Sequence, residues 1–162
     1  MKNFNKYISI YKEQLEKGEI QKAYTGLIKY VMKLRAVFAN KLSDKFSFGN
    51  ILQGYMDYTY FYFSNEQLKK KKLKFGLVLN HQEMRFEIWL LGNTISVQRI
   101  YWELLKATEL NKNKKEMPQY SVLETILVRN PDFNNLDLLA QQIENAMIYE
   151  SDEIINYIEK IN

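Results

Sequence analysis

Three strand-like runs follow one another between residues 55 and 92, and they constrain the fold more than any other part of the chain. They read YMDYTYFYF at 55–63, KLKFGLVLN at 72–80 and EMRFEIWLL at 83–91. Aromatic and branched residues that alternate with polar ones are typical of strands, and a short gap between two strands favours a hairpin. Helical periodicity dominates on both sides of this block. The sequence therefore predicts a small sheet set among helices.

The second and third runs can be tested against each other, because successive side chains of a strand lie on opposite faces of a sheet. Odd positions of the second run and even positions of the third are apolar: Leu73, Phe75, Leu77, Leu79, Met84, Phe86, Ile88 and Leu90. A tight turn at 80–81 or at 81–82 places both sets on one face, and a one-residue slip would separate them. The sequence therefore predicts an antiparallel hairpin with one apolar face.

The opposite face of this hairpin is mixed, and we predict that it is the binding site. It carries Lys74 from the second run and Arg85, Glu87 and Trp89 from the third. In the first run the even positions look like core, whereas the odd positions include Asp57. If the first run pairs with the second, Asp57 joins Lys74, Arg85, Glu87 and Trp89. We expect the helix that follows the hairpin to cover part of this cluster.

Helical spacing of apolar residues marks most of the remaining chain. Two helices are predicted at 4–15 and 20–42, and the short break at Gly18 predicts that they pack as a hairpin. Residues 43–54 are expected to form a loop, with two glycines as punctuation. After the strands, the sequence predicts a helix, a fourth strand and a last helix at 94–107, 120–128 and 136–161.

The predicted order is α-α-β-β-β-α-β-α, which is an α+β fold with a small, mostly antiparallel sheet and helices packed on it. The chain has 162 residues, of which 46% are apolar or aromatic. That length and composition suit a single globular domain over residues 1–162 with a real core.

The composition also excludes several classes of chemistry. The chain has no cysteine and one histidine, which excludes disulfides and argues against a zinc site. We expect neither a cofactor nor a metal. No run resembles a signal peptide or approaches the roughly 20 apolar residues that cross a bilayer. The expected location is the cytoplasm, and the excess of Lys, Asn and Ile suggests a bacterium.

Charge is spread unevenly along the chain, whose formal net charge is +4. Residues 1–75 carry a balance of +9, whereas residues 116–162 carry −7. The favoured interpretation is that the basic first half and the acidic end attract each other within one fold. The alternative is a basic surface that contacts a phosphate polymer.

Paired carboxylates are the arrangement that points most directly to catalysis. Asp57 and Glu87 on one sheet surface could serve acid–base chemistry or hold a divalent cation. Alternatively, Glu87 pairs with Lys74 or Arg85 across the hairpin, in a contact of about 0.2–1 kcal/mol. His81 is expected at the hairpin turn, where a solvated residue is a commoner outcome than a general base.

The order of helix, three-strand meander, helix and further strand resembles the core of the restriction-endonuclease-like nucleases. That resemblance implies a metal held by an acidic residue on the second strand and by E-x-K on the third. Residues 87–89 read EIW, so tryptophan stands at the lysine position, and Gly76 stands where the acidic residue belongs. An enzyme that uses Asp57 and Glu87 on a degenerate version of that fold is therefore an alternative, not the leading hypothesis.

Two further clusters have both a structural and a functional interpretation. The tyrosines of the first strand, with Phe61 and Phe63, fit either a core or a pocket for a flat ligand. The lysines at 69–72 fit either a solvated loop or a contact with phosphates. In both cases the structural interpretation is the commoner one for such a pattern.

Three segments resemble a known family: GYMDYTYF (54–61), VLNHQEMRFEIWLLGN (78–93) and VQRIYWELLK (97–106). They are similar to a bacterial family of small cytosolic proteins that is characterised only as a domain of unknown function. RFEIWL and YWELLK carry the resemblance most specifically. The resemblance implies a cytosolic location and supports the α+β fold, and it implies no activity, cofactor or partner.

The sequence thus favours a non-enzymatic binding module. Its partner is expected to be a small ligand, another protein or a second copy of the chain. The first alternative is the enzyme that uses Asp57 and Glu87. The second alternative, nucleic-acid binding through the basic first half, is less favoured because of the acidic end. A membrane is not expected as a partner.

Overall fold

A computed structural model describes residues 2–161 of the chain. The helices are α1 (Phe4–Lys17), α2 (Glu19–Lys41), α3 (Glu66–Lys70), α4 (Ile95–Leu105) and α5 (Leu136–Lys160). The strands are β1 (Ser47–Leu52), β2 (Tyr58–Ser64), β3 (Leu73–Asn80), β4 (Arg85–Gly92) and β5 (Leu123–Val128). The predicted α+β fold class is confirmed. The order gains two short elements, because β1 forms where a loop was predicted and α3 includes the first two lysines of the run at 69–72.

The five strands form one sheet in which each strand pairs antiparallel with the next along the chain. The predicted β3–β4 hairpin is confirmed, with Asn80 opposite Arg85 and Leu73 opposite Gly92. The turn spans residues 81–84 and is two residues longer than predicted. Because the change is an even number of residues, both apolar sets still share one face. Asn80 Oδ1 accepts a hydrogen bond from Glu83 N at 3.1 Å and stabilises the longer turn.

One face of the sheet packs against helices α2, α3, α4 and α5 to form the hydrophobic core. The sheet contributes fully buried aromatic and aliphatic side chains from β2, β3 and β4. Helix α2 adds Leu34 and Phe38, and α5 adds Ile143, Met147 and Ile154. Helix α5 runs unbroken over 25 residues, close to the predicted 136–161. No helix within residues 2–161 combines the length and the apolar character that crossing a bilayer requires.

The faces of β2 are the reverse of the sequence prediction. Thr59, Phe61 and Phe63 are buried on the core side, whereas the even-numbered tyrosines lie on the other face. The register causes this, because Phe61 pairs with Leu77 and must share its face. The result agrees with side-chain chemistry, since a buried tyrosine hydroxyl needs a hydrogen-bond partner and a phenylalanine ring does not.

Helices α1 and α2 do not form the predicted hairpin. They are separated by Gly18 alone, which adopts a left-handed conformation with φ of +73°. No residue of α1 is buried, and the buried residues of α2 begin at Ile28. A side-by-side helix pair needs a connection of about two to five residues. One glycine therefore bends the chain but cannot reverse it.

Helix α4 packs on the core side of the sheet, so the prediction that it covers the mixed face is wrong. Its buried residues Tyr101, Trp102 and Leu105 belong to the main core. Gly92 permits this direction, because a Cβ there would lie 2.5 Å from the backbone nitrogen of Gln98. Within residues 2–161, no helix contributes a buried residue to the apolar cluster on the mixed face of the sheet.

The register of β2 can be tested by paired substitutions on neighbouring positions. We expect Phe61→Ala to lower the free energy of unfolding by about 3–5 kcal/mol, because it opens a cavity in the core. Tyr60→Ala should cost only about 1 kcal/mol, because its ring lies on the half-exposed face. Chemical denaturation measures both values. Equal losses, or a larger loss for Tyr60→Ala, would contradict this assignment of faces.

Candidate functional site

The mixed face of the sheet forms the floor of a cavity of about 630 Å³, which we call the tyrosine cavity. Strands β2, β3 and β4 supply its floor, and the segment between β1 and β2 supplies its rim. The lining residues are Leu52, Gln53, Gly54, Tyr55, Asp57, Tyr58, Tyr60, Tyr62, Gly76, Val78, Trp89, Leu91 and Tyr120. Six of these thirteen residues are aromatic, so the cavity is principally a set of ring faces and edges.

Gly76 gives the floor its depth. It lies between Tyr62 on β2 and Trp89 on β4 in the register of the sheet. A Cβ placed at residue 76 would meet Leu91 at 3.4 Å and Val78 at 3.6 Å, which are tight to ordinary contacts. A larger side chain would therefore fit on the strand but fill the space between the two rings.

The rings meet at steep angles and form walls on more than one side. Tyr58 lies 5.0 Å from Trp89 with an interplanar angle of 66°, and 6.4 Å from Tyr120 with an angle of 73°. Tyr60 and Tyr62 lie 5.3 Å apart at 58°. Burial raises the pKa of Tyr62 to about 12, and a hydrogen bond with Tyr60 makes a smaller contribution in the same direction. The hydroxyl of Tyr62 is therefore neutral at physiological pH.

Three of the five predicted site residues form one hydrogen-bonded cluster. Glu87, whose side chain is 3% exposed, accepts from Arg85 Nε at 2.5 Å and from Trp89 Nε1 at 2.6 Å. Asn80 Nδ2 donates to the same carboxylate at 3.2 Å. These contacts match the alternative in which Glu87 pairs with Arg85, although the pair lies along β4 and not across the hairpin. They also fix the Trp89 indole in the floor of the tyrosine cavity.

Asp57 lies at the rim of the cavity and not on a strand, because β2 begins at Tyr58. Its Oδ1 accepts from the backbone nitrogens of Tyr55 at 2.8 Å and Tyr58 at 2.7 Å. These two bonds hold the pKa of the Asp57 carboxyl below its ordinary value. The carboxyl is exposed and ionised at neutral pH.

Lys74 lies beside the cavity, where its Nζ is 3.8 Å from the centre of the Tyr62 ring. Partial burial lowers the pKa of Lys74. The predicted cluster is thus divided between Glu87 with its partners, Lys74 on a ring face, and Asp57 at the rim. The sequence offered the tyrosines of the first strand, together with Phe61 and Phe63, as a pocket only as the less common alternative, because it assigned the even face of β2 to the core. The alternation of tyrosine with phenylalanine in YTYFYF was the signal that could have found them.

A set of polar contacts holds the rim in place. The Tyr24 hydroxyl on α2 lies 3.3 Å from the carbonyl oxygens of Gln53 and Gly54. Thr59 Oγ1 donates to Gln53 O at 2.8 Å and lies 2.7 Å from His81 Nε2. Gly54 has φ of +71°, and a Cβ there would lie 2.1 Å from Tyr58 O. The rim therefore depends on a glycine at that position.

His81 serves this rim structurally. The single proton of the Thr59 hydroxyl goes to Gln53, so His81 Nε2 donates to Thr59 Oγ1. Burial lowers the pKa of His81 from its ordinary 6.5, although Asp57 opposes this shift. Half-buried and hydrogen-bonded in this way, His81 is not the solvated turn residue that the sequence suggested.

Three ion pairs join the basic first half of the chain to α5. Lys33 pairs with Asp137 at 3.2 Å, Lys41 with Glu144 at 2.6 Å, and Lys45 with Asp152 at 2.6 Å. These pairs agree with the internal interpretation of the charge asymmetry. In the described part of the chain, no group of three or more His, Asp or Glu side chains is placed to hold a metal ion.

Comparison with known proteins gives a family but no activity. A family model described as "Domain of unknown function (DUF7000)" matches residues 4–158. The resemblance to a family of unknown function is thereby confirmed. No match was found among the curated proteins or among the solved structures.

The pH dependence of stability tests the role of His81. The unfolded state takes up a proton as pH falls below about 6.5, whereas the folded state resists protonation because the pKa of His81 is lowered. Stability should therefore be complete above pH 6.5 and fall below it. We expect His81→Gln, whose amide can still donate to Thr59, to flatten this fall in urea denaturation between pH 7 and 5. An unchanged slope would contradict the assignment.

Proposed function

The chain belongs to the family described as a domain of unknown function (DUF7000), and we propose that it is a binding module that holds a small organic cation in the tyrosine cavity. The observation that supports this most strongly is the combination of six aromatic side chains with one carboxylate in the cavity lining. Residues 1–162 are proposed to act as a single domain, and the cytoplasmic, bacterial origin stays a prediction.

The size of the cavity favours a small molecule. Its volume of about 630 Å³ lies within the roughly 300–1,000 Å³ of typical ligand sites. Such sites combine apolar walls with a few polar groups that orient the ligand. Here the rings form the walls, and the Asp57 carboxylate and the carbonyls of the rim are the polar groups.

The charges around the cavity favour a cation. Among the described lining residues, Asp57 is the only one with a charged side chain. Aromatic ring faces attract cations through their quadrupoles, with about 0.5–2 kcal/mol per contact. A contact of this kind already exists beside the cavity, where Lys74 Nζ lies 3.8 Å from the centre of the Tyr62 ring. A ligand with an ammonium or a cationic ring next to an apolar body therefore matches the cavity best.

The contacts of the two carboxylates weigh against the enzyme alternative. Glu87 accepts three hydrogen bonds and pairs with Arg85, so it has little capacity left for acid–base work. Asp57 is used in backbone hydrogen bonds at the rim. The proposed nucleic-acid role is disfavoured as well, because lysines of the first half pair with carboxylates of α5.

Ligand charge is the first test. We expect isothermal titration calorimetry to show that benzyltrimethylammonium binds more tightly than benzyl alcohol or benzoate, which share its ring. Tyr58→Leu should weaken the cation about 2- to 30-fold, the equivalent of one cation–π contact. Gly76→Val should abolish binding, because its side chain fills the floor. Tyr149→Leu, an exposed tyrosine on α5 outside the cavity, is the matched control and should bind as the wild type does.

Equal affinity for the cation and the neutral alcohol would overturn the charge selectivity. Undiminished binding by Gly76→Val would show that the tyrosine cavity is not the site. The valine variant should keep its fold, because β-branched residues suit strands. Its circular dichroism spectrum and thermal midpoint verify that separately from binding.

Asp57 is tested by removing its charge alone. Asp57→Asn keeps a side-chain oxygen that can accept from Tyr55 N and Tyr58 N, so the rim should hold its shape. We expect affinity for the cation to fall about fivefold or less, as for an exposed ion pair. Affinity for benzyl alcohol should not change.

Because the pKa of Asp57 is lowered below 3.8, the wild-type preference for the cation should persist down to pH 4. Loss of preference between pH 6 and 5 would assign it to another group.

A further inference from the structure

A lysine without an anionic partner lies at one end of the tyrosine cavity. Lys74 is half-buried, and it is paired across the hairpin with Leu91, which lines the cavity. Its Nζ lies on the face of the Tyr62 ring, yet no carboxylate within residues 2–161 forms an ion pair with it. Burial lowers the pKa of Lys74, so an anion placed beside it would stabilise the charged ammonium.

The other end of the cavity carries a carboxylate without a cationic partner. Asp57 precedes Tyr58, the first residue of β2, and in the described part of the chain no lysine or arginine pairs with it. Arg85, on β4, is already paired with Glu87. Burial raises the pKa of the Tyr58 hydroxyl, and neighbouring carboxylates, chiefly Glu124 and Glu87, raise it further. The electrostatic potential at this end is therefore negative.

The two ends are separated by most of the length of β2. Tyr58 and Tyr62 are four residues apart on this strand, which corresponds to about 13 Å. The floor between the two ends includes the apolar residues Gly76, Val78 and Leu91. The cavity therefore suits an elongated ligand with an apolar middle and a polar group at each end.

We propose that the ligand is a zwitterion, with its cationic head at the Tyr58 end of the cavity and a carboxylate that pairs with Lys74. This inference rests on the proposed function, because it keeps the organic cation and adds an anion to it. One lysine balances the single charge of a carboxylate but leaves a phosphate dianion partly uncompensated. The ligand class is thus an ammonio or trimethylammonio carboxylate in which an apolar chain joins the two charges.

The same two residues determine the orientation of the ligand. Lys74 already occupies a face of the Tyr62 ring, so it repels a second cation at that end of the cavity. Asp57 attracts the cation to the opposite end, where the rings of Tyr58 and Trp89 lie 5.0 Å apart. The reversed orientation would place like charges together at both ends and is therefore disfavoured.

Matched ligands test the contribution of the second charge in isothermal titration calorimetry. The probe ω-(trimethylammonio)octanoate carries both charges, and its primary amide carries the same cation and chain without the anion. We expect the zwitterion to bind about two- to fivefold more tightly than the amide, as for a partly exposed ion pair. Trimethylammonioacetate, whose charges are too close together to reach both ends, should bind no more tightly than its own amide.

Substitutions at Lys74 identify the residue that contacts the anion. Lys74→Gln should erase the preference for the octanoate zwitterion and should bind the amide at least as tightly as the wild type does. Lys74→Arg keeps the charge and should keep the preference. Lys70→Gln removes an exposed lysine of α3 outside the cavity, so it is the matched control and should behave as the wild type does.

Three outcomes would overturn this inference and leave the cation site in place. They are an octanoate zwitterion that binds no more tightly than its amide, a preference that survives Lys74→Gln, and a Lys74→Gln chain that no longer binds the amide. The last would show that Lys74 supports the cavity and does not select the anion. If the wild type bound neither the amide nor benzyltrimethylammonium, the proposed function itself would be wrong and this inference with it.

Discussion

The pairing of β2 with β3 decides which side of the sheet becomes the core and which becomes the cavity. Phe61 faces Leu77 and Phe63 faces Phe75, so every odd residue of β2 shares the apolar face of the hairpin. Side chains alternate strictly along a strand, and this one register therefore also sends the tyrosines of β2 to the other face. A one-residue slip would bury three hydroxyls in a core of phenylalanine and leucine, at a cost of several kcal/mol. The register that packs the core therefore also determines which side chains line the tyrosine cavity.

Glu87 is a charged side chain that is buried on the mixed face of the sheet. A carboxylate buried among rings loses its hydration, and only close partners offset that loss. Arg85, Trp89 and Asn80 supply them through hydrogen bonds. These bonds also hold the indole of Trp89 in one orientation, so part of the cavity floor is preorganised. A ligand that stacks against a fixed ring loses less conformational entropy on binding than one that must first order it.

Sequence patterns predicted where the helices and strands lie better than they predicted which face of a strand is buried or on which side a helix packs. The β3–β4 hairpin was predictable because two independent apolar sets had to agree on one face. The buried face of β2 was not predictable, since tyrosine and phenylalanine both count as apolar in a periodicity argument. Only the pairing of β2 with β3 shows which of the two faces the core. Arg85, Glu87 and Trp89 share the mixed face as predicted, because the register that fixes the hairpin also fixes that face. The sequence prediction placed Asp57 on a strand, although it lies before β2 begins, and it left Gly76 out of the site. It also missed β1, whose pairing with β2 is interrupted by a bulge.

Helix α2 shows how one element can be divided between stability and recognition. Its buried residues Tyr30, Val31, Leu34 and Phe38 pack into the core and fix the helix relative to the sheet. Its first two turns bury nothing, yet they border two surfaces. The first surface is an apolar groove of about 400 Å³, lined in part by Lys22, Ala23 and Gly26. The second is the rim of the tyrosine cavity, where Tyr24 lies within hydrogen-bond distance of the carbonyls of Gln53 and Gly54. The packing of the later turns of α2 into the core supplies the free energy that keeps these first two turns helical. Residues at the start of α2 are therefore constrained by what they contact on the surface and hardly at all by the core.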